Sequence, residues 1–208
     1  MIELYSGTPG SGKSLHSAKE IRMRLKQPDK VIIGNFYVNT KAISKCKGNY
    51  IYVSNDRLKP GRLMQFARRY ARHIGRRLKE DEVWIIIDEA QLLFNSRDWQ
   101  KLAGSGWLSF FSQHRHYGFK IILIAQFDRM LDRQVRSLIE YEIKHRKVSR
   151  AGAMGLIVGL FFGGNLYVAV TCWYPMRERL SGDFFIGTHK SFDIYDSYNH
   201  FESEVGTN

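Results

Sequence analysis

The stretch Gly7-Thr8-Pro9-Gly10-Ser11-Gly12-Lys13-Ser14 constrains this 208-residue chain more than any other. It follows a short run, Ile2-Glu3-Leu4-Tyr5-Ser6, and opens into a helical pattern near Lys13. Strand, glycine-rich loop and helix in that order are the context of a phosphate-binding P-loop, and the pattern G-x-x-x-x-G-K-[ST] is met in full. Glycines at 7, 10 and 12 let the backbone turn so that its N–H groups converge on phosphate oxygens. The helix N-terminus adds partial positive charge, Lys13 can reach β- and γ-phosphates, and the Ser14 hydroxyl can ligate Mg²⁺. The expected nucleotide contacts are therefore Gly7, Thr8, Pro9, Gly10, Ser11, Gly12, Lys13, Ser14 and Leu15.

A P-loop needs a sheet behind it. Strand-like runs occur at 2–6, 31–33, 50–53, 83–87, 120–125 and 140–148, with helical patterns at about 13–26, 60–79, 105–117 and 128–138. Continuous apolar strands alternating with helices predict an α/β fold with a mostly parallel central sheet flanked by helices. Residues 151–174 carry no charge and exceed the length of a membrane span, but Gly163-Gly164-Asn165 divides them into two pieces of strand length. They are read as a buried C-terminal β-hairpin in preference to a span. One domain over 1–200 is expected, followed by a short tail at 201–208. Glu3 breaks the N-terminal apolar run, so no signal peptide is expected. Cys46 and Cys172 have no metal-ligand spacing and read as reduced structural thiols.

Asp88 ends the run Val83-Trp84-Ile85-Ile86-Ile87, where an α/β sheet presents its ligands. Beside a P-loop, Asp88 is expected to hold Mg²⁺ with Ser14, and Glu89 to polarise an attacking water. Having both carboxylates favours ATP hydrolysis over a simple nucleotide switch. Gln126, at the tip of another core strand, is either a γ-phosphate contact or a plain loop amide. Arg97, Arg115 and Arg136 are each candidates to reach the γ-phosphate in their own subunit or across a subunit boundary, and each is equally readable as a surface arginine. His114 and His116 flank Arg115 without acidic or cysteine company, which argues against zinc.

The formal charge of +12 favours polyanionic surroundings. Much of it lies in 62–79, where Leu63, Phe66, Ala67, Tyr70, Ile74 and Leu78 form one face. Arg62, Arg68, Arg69, Arg72, Arg76, Arg77 and Lys79 carry no counter-charge before Glu80, so phosphates of DNA or anionic lipid are the expected partners.

Together, the P-loop, "IIIDEAQLLFNSRDW", "FFSQHRHYGFKIILIAQ", "DRMLDRQVRSLIEYEIKHRKV" and "GTHKSFDIYDSYNHF" resemble the Zot (zonula occludens toxin-like) family over roughly residues 1–200. That family includes the inner-membrane assembly ATPases of filamentous phages. The resemblance implies an Mg²⁺-dependent ATPase related to the FtsK/HerA ring motors, working as a homo-oligomeric ring at the cytoplasmic face of the inner membrane. It implies extrusion of single-stranded DNA while coat protein assembles, with ATP and Mg²⁺ as cofactors. On the same basis Gly7 to Ser14 bind phosphates, Asp88 binds Mg²⁺, Glu89 activates water, Gln126 senses the γ-phosphate, and Arg115 rises above Arg97 and Arg136. Filamentous-phage relatives usually continue into a transmembrane helix that is not evident here. Two other readings stay open: a DNA-packaging or DNA-translocating ATPase that needs no membrane, and a low-turnover ATP-gated adaptor. The toxin activity in the family name belongs to a region without a counterpart here and is not implied.

Overall fold

The computed structural model describes residues 1–97, 100, 102, 104–188, 191 and 193–195. All six expected strands form: β1 (Ile2–Ser6), β2 (Val31–Gly34), β3 (Asn49–Tyr52), β4 (Val83–Ile87), β5 (Phe119–Ile124) and β6 (Tyr141–Lys147). With β7 (Leu166–Trp173) and β8 (Glu178–Ile186) they make one sheet in the order β3-β2-β4-β5-β1-β6-β7-β8. Pairings from β3 to β6 are parallel, and β7 and β8 add antiparallel at one edge. Every residue of β1, β2, β4 and β5 is buried, which is why these runs lack polar alternation.

Helices cover both faces. α1 (Lys13–Leu25) packs Leu15, Ala18, Ile21 and Leu25 on one side, against Trp84 and Ile86. α2 (Pro60–His73) and α3 (Trp107–Gln113) pack Leu63, Ala67, Trp107, Phe110 and Phe111 on the other, against Val83, Ile85 and Ile87. The five apolar residues of β4 thus serve two cores by strict alternation. Because β1, β4, β5 and β6 run parallel, Ser6, Ile87, Ile124 and Lys147 end on the same side of the sheet, and the loops after them share one rim.

Three expected elements differ from what forms. The basic helix stops at His73 instead of running to residue 79. Gly75 adopts φ +70°, and the N–H groups of Gly75 and Arg76 close onto the carbonyls of Arg72 and Ala71, a Schellman ending. Leu78 still packs on the core, but from the connecting segment. The pattern at 128–138 shortens to α4 (Arg133–Arg136), started by Asp132, whose carboxylate accepts from Gln134 N at 2.8 Å.

The third difference is the hairpin. Its expected first strand is instead a helix, α5 (Gly152–Phe161), and the real hairpin is β7–β8. Gly163 and Gly164, at φ +60° and +73°, close the helix onto Leu160 and Gly159 by the same Schellman bonds. The glycine pair is therefore a helix stop, where the composition pointed to a strand turn. Among the described residues no helix is long and apolar enough to cross a membrane. Asp98, Trp99, His189, Lys190, Phe192 and the tail at 201–208 lie outside the described residues.

Phe94 anchors the segment that follows Asp88 and Glu89. It is fully buried, edge-on to Trp107 at 5.0 Å and to Phe111 at 5.2 Å, and its N–H donates to Ala90 O. Phe94→Ala is expected to lower stability by about 3–5 kcal/mol, read as a lower urea midpoint with an unchanged m-value.

Candidate nucleotide site

The loop between β1 and α1 can only be built with glycine at its ends. Gly7 has φ +144°, and a Cβ there would lie 2.5 Å from His145 O. Gly12 has φ +98°, and a Cβ there would meet the Tyr167 ring at 2.6 Å. Gly7 N donates to Gln126 O at 3.1 Å, tying the loop to the end of β5. α1 then starts with no side-chain cap and no acid in its first turn, so its N–H groups face the loop interior as a ready anion site. Ser11 Oγ is buried there without a partner among the described residues, as a donor meant for a ligand oxygen would be.

Lys13 Nζ folds back on its own loop, donating to Gly7 O at 2.7 Å and Thr8 O at 3.3 Å. Burial pushes its pKa down, and the nearby carboxylates of Asp88 and Glu89 push it back up. An ammonium that among the described residues has only carbonyl acceptors, facing two carboxylates, is placed to take phosphate oxygens.

Asp88 is held by its backbone. Asn35, just past the end of β2, donates Nδ2–H to Asp88 O at 2.9 Å and accepts from Asp88 N at 2.7 Å. The Asp88 side chain accepts from Glu89 N through Oδ1 and from the Tyr195 hydroxyl through Oδ2. Ser14 and Tyr195 line one pocket beside the loop, and burial followed by the Asp88 charge raises the Tyr195 pKa far above the usual phenol range. The Tyr195 phenol is bonded to Asp88 and shares a pocket with Ser14, so these two hard oxygen donors are brought to one side of the loop. Such a pair suits Mg²⁺, which takes one or two protein oxygens and completes its shell with water and phosphate. Among the described residues no group of three His, Cys, Asp or Glu could hold a metal ion.

Glu89 stands in the left-handed region at φ +46°, an uncommon conformation for a residue with a Cβ. This turns its carboxylate outward, where Gln91 Nε2 donates to Oε2. Gln91 is itself buried, with Oε1 unpartnered among the described residues. The last residue of the "DEAQ" motif therefore acts as the clamp on the second.

Gln126 lies where the pattern puts it, lining the cleft beside Gly7 and Thr8. The three arginines do not join the loop. Arg115 pairs with Glu140 at the start of β6, and Glu80 is 4.0 Å away. That is the amino end of the strands, the full length of β5 (about 20 Å) from the phosphate loop. In its own subunit Arg115 therefore cannot complete the site. Arg97 is exposed, with its backbone N–H on Asn95 Oδ1, and Arg136 lies beside Tyr174 and Arg177.

A fourth arginine does reach the loop. Arg150 donates Nη1–H to Pro9 O at 2.8 Å and lies over Gly10. It follows β6, which pairs directly with β1, so strand order places it there, and no sequence motif marks it. Arg76 also departs from expectation: it pairs with Glu82, holding that carboxyl at about 2, so the basic segment is not wholly without counter-charge.

Beneath the loop, His145 and His16 lock β6 to α1. His145 Nδ1–H donates to Ser6 O at 3.2 Å, which leaves its Nε2 to accept from His16 Nδ1–H at 2.8 Å. Both rings are therefore neutral; burial lowers His145 to about 3 and His16 to about 4. Unfolding releases both to ordinary imidazole values, so the unfolded chain binds more protons below about pH 6.5. Stability should be intact at pH 7 and fall as pH drops towards 4, by up to about 1.4 kcal/mol per pH unit for each histidine. Urea unfolding of the chain and of His16→Gln at pH 7 and pH 5 checks this: the loss should be smaller in the variant.

Comparison with known proteins bears on the family and the fold. The family model described as Zonular occludens toxin (Zot) matches residues 1–161. The N-terminal domain of zonular occludens toxin from Neisseria meningitidis superposes with a TM-score of 0.58 at 19% identity, over 94% of this chain and 98% of that one. The genome packaging NTPase B204 from Sulfolobus turreted icosahedral virus 2, in complex with AMPPCP, superposes with a TM-score of 0.54 at 15% identity, over 90% of this chain and 97% of that one. B204, the DNA-packaging ATPase from Sulfolobus turreted icosahedral virus, does so with a TM-score of 0.53 at 17% identity, over 90% and 98%. At these identities the likeness is one of fold, that of the P-loop NTPases. No curated protein sequence matches the chain.

Proposed function

The chain belongs to the Zot family, and from that membership and the site geometry we propose that it is an Mg²⁺-dependent ATPase that drives filamentous phage assembly, extruding single-stranded DNA across the host envelope. The placement of Ser14 and Asp88 about the Tyr195 phenol beside Lys13, with Glu89 next in the chain, carries the catalytic part of this reading. The loop N–H groups and Lys13 hold the β- and γ-phosphates, and Ser14 and Asp88 hold the cation. Mg²⁺ when bound neutralises charge on the transferring phosphoryl group. Glu89, turned outward and clamped by Gln91, accepts a proton from the attacking water, and Gln126 contacts the γ-phosphate from the neighbouring strand.

Glu89→Gln is expected to lower kcat by about 100-fold or more while ATP affinity stays within about threefold, read by phosphate release and by titration with a fluorescent nucleotide. Equal turnover in the two proteins would instead favour the ATP-gated adaptor reading.

The function is placed in one ATPase unit, residues 1–200, assembled as a homo-oligomeric ring at the cytoplasmic face of the inner membrane, with DNA and phage coat or assembly proteins as partners. The position of Arg115 supports the ring: remote from its own phosphate loop and half-exposed, it is available to a neighbouring subunit as an arginine finger. Mixing inactive Arg115→Ala with inactive Glu89→Gln should restore part of the activity if the finger acts between subunits, and none if it does not. The basic segment 62–79 is proposed as a polyanion contact, DNA backbone or anionic lipid, through the cations that Glu82 leaves free.

One observation favours a second reading. B204, described as a genome packaging NTPase, shares the fold over nine-tenths of this chain. A soluble DNA-packaging or DNA-translocating motor would show turnover stimulated by DNA without membranes or coat protein.

A further inference from the structure

Residues 151–176 contain no Asp, Glu, Lys or Arg, and apart from Tyr167, which packs on Gly12, the ATPase reading has no use for them. Within them α5 is not packed as an apolar helix in a core would be. Its glycine side faces inward: a Cβ on Gly155 would collide with Val148 O, and one on Gly159 would lie 2.8 Å from Ser149 Cβ. With the small residues against the turn Val148–Arg150, the large ones point out. Met154 is 72% exposed, Leu160 70% and Phe161 85%, and Leu156 and Ile157 are more than half exposed. Isolated exposed apolar residues are ordinary, whereas a contiguous patch of this kind marks an interaction surface.

The patch continues past Phe162 into a groove shared with Phe184 and Ile186 of β8. Lys19 and Arg22 of α1 also line that groove, and neither makes an ion pair with a described residue. Arg150 stands at the other end of the helix, exposed and with no carboxylate partner among the described residues. The acid on this part of β8, Asp183, shares a strand face with buried Phe185, opposite to Phe184 and Ile186.

We propose that α5 and the adjoining end of β8 seat this protein in one leaflet of an anionic phospholipid bilayer, with Leu156, Ile157, Leu160 and Phe161 among the upper acyl carbons and Lys19, Arg22 and Arg150 at the lipid phosphates. The length fits: ten residues of helix make about 15 Å, half a hydrocarbon core, enough to lie in the interface and too short to cross it. The charge fits as well, since an apolar face rimmed by cations complements anionic head groups. A second copy of the chain fits worse. A two-fold contact through this face would bring the cationic rims together, which is repulsive. A head-to-tail contact would need another apolar patch, and among the described residues outside β7, β8 and the turn joining them the other large exposed apolar ones, such as Met23, Leu92 and Phe127, are scattered. This surface is distinct from the basic segment 62–79, because α2 packs at the other side of the sheet. The inference does not rest on the ATPase reading.

Vesicle flotation of the full chain tests it, using phosphatidylcholine alone and phosphatidylcholine with about one-third phosphatidylglycerol. The wild type should float with the anionic vesicles at least about tenfold more than with the neutral ones, and less at high salt. Leu160→Ser/Phe161→Ser should lose at least about tenfold of that binding. Its melting curve and nucleotide affinity should not change, because both side chains are exposed. Lys19→Ala/Arg22→Ala should lower anionic binding and flatten its salt dependence. Leu156→Ser/Ile157→Ser provides an independent apolar pair should the first variant misfold. Vesicle binding unaffected by both serine pairs overturns the proposal. So does a wild type that ignores vesicles but sediments as an oligomer that these pairs dissociate, an outcome that assigns the face to a second copy.

Discussion

The site depends on β1 lying between β5 and β6 in a parallel sheet. From that single placement the phosphate loop inherits its surroundings. Gln126 comes from the end of β5 and receives the Gly7 N–H; the His145 carbonyl from β6 closes against Gly7; Arg150, just beyond β6, holds Pro9 from outside. The loop has little freedom left, because at Gly7 even one methyl group would collide with the backbone of a neighbouring strand. Its rigidity is a property of strand order more than of the loop's own composition.

The buried strands and the P-loop were legible because they are local. Five consecutive apolar residues delivering Asp88, and eight residues of loop between strand and helix, each carry their meaning without knowledge of the rest of the chain. What was not legible is what the topology brings together. Asn35 clamps the Asp88 backbone from a strand end more than fifty residues away, and Tyr195 reaches Ser14 and Asp88 from near the other terminus. No spacing rule connects those positions. Arg115 illustrates the converse: it precedes β5 in sequence, and a strand carries its two ends to opposite sides of the fold. The helix–strand ambiguity at 151–162 had another cause. A short apolar run has no polar face to reveal its period, and Gly163-Gly164 ends a helix as readily as it turns a strand.

Charge is distributed with a logic of its own. Where a cation serves the fold, a carboxylate accompanies it, as Glu3 does Lys120 and Glu82 does Arg76. Lys13 faces Asp88 and Glu89 across space that a nucleotide's phosphates would fill. At Lys19, Arg22 and Arg150 no described carboxylate plays that part. Like-signed groups clustered on a surface raise the energy of the folded state unless an anion arrives from outside, so the unpaired cations trace the faces on which outside anions are expected.

Tyr195 adds a thermodynamic consequence. Its ring packs on Phe36 at 4.6 Å, its backbone bridges Val38, and its hydroxyl sits on Asp88 in the pocket that Ser14 lines. A cation that bonds both donors there has to take the phenol's place, so its apparent affinity is the intrinsic one scaled by the fraction of molecules in which the phenol has withdrawn. If Ser14 and Asp88 hold a cation as proposed, whatever stabilises the strap at 193–195 weakens its loading by the same free energy, and a partner that draws the strap away strengthens it. On the proposed reading of Ser14 and Asp88 as cation ligands, residues 193–195 and the cation compete for two oxygen atoms, and each is a sensor of the other.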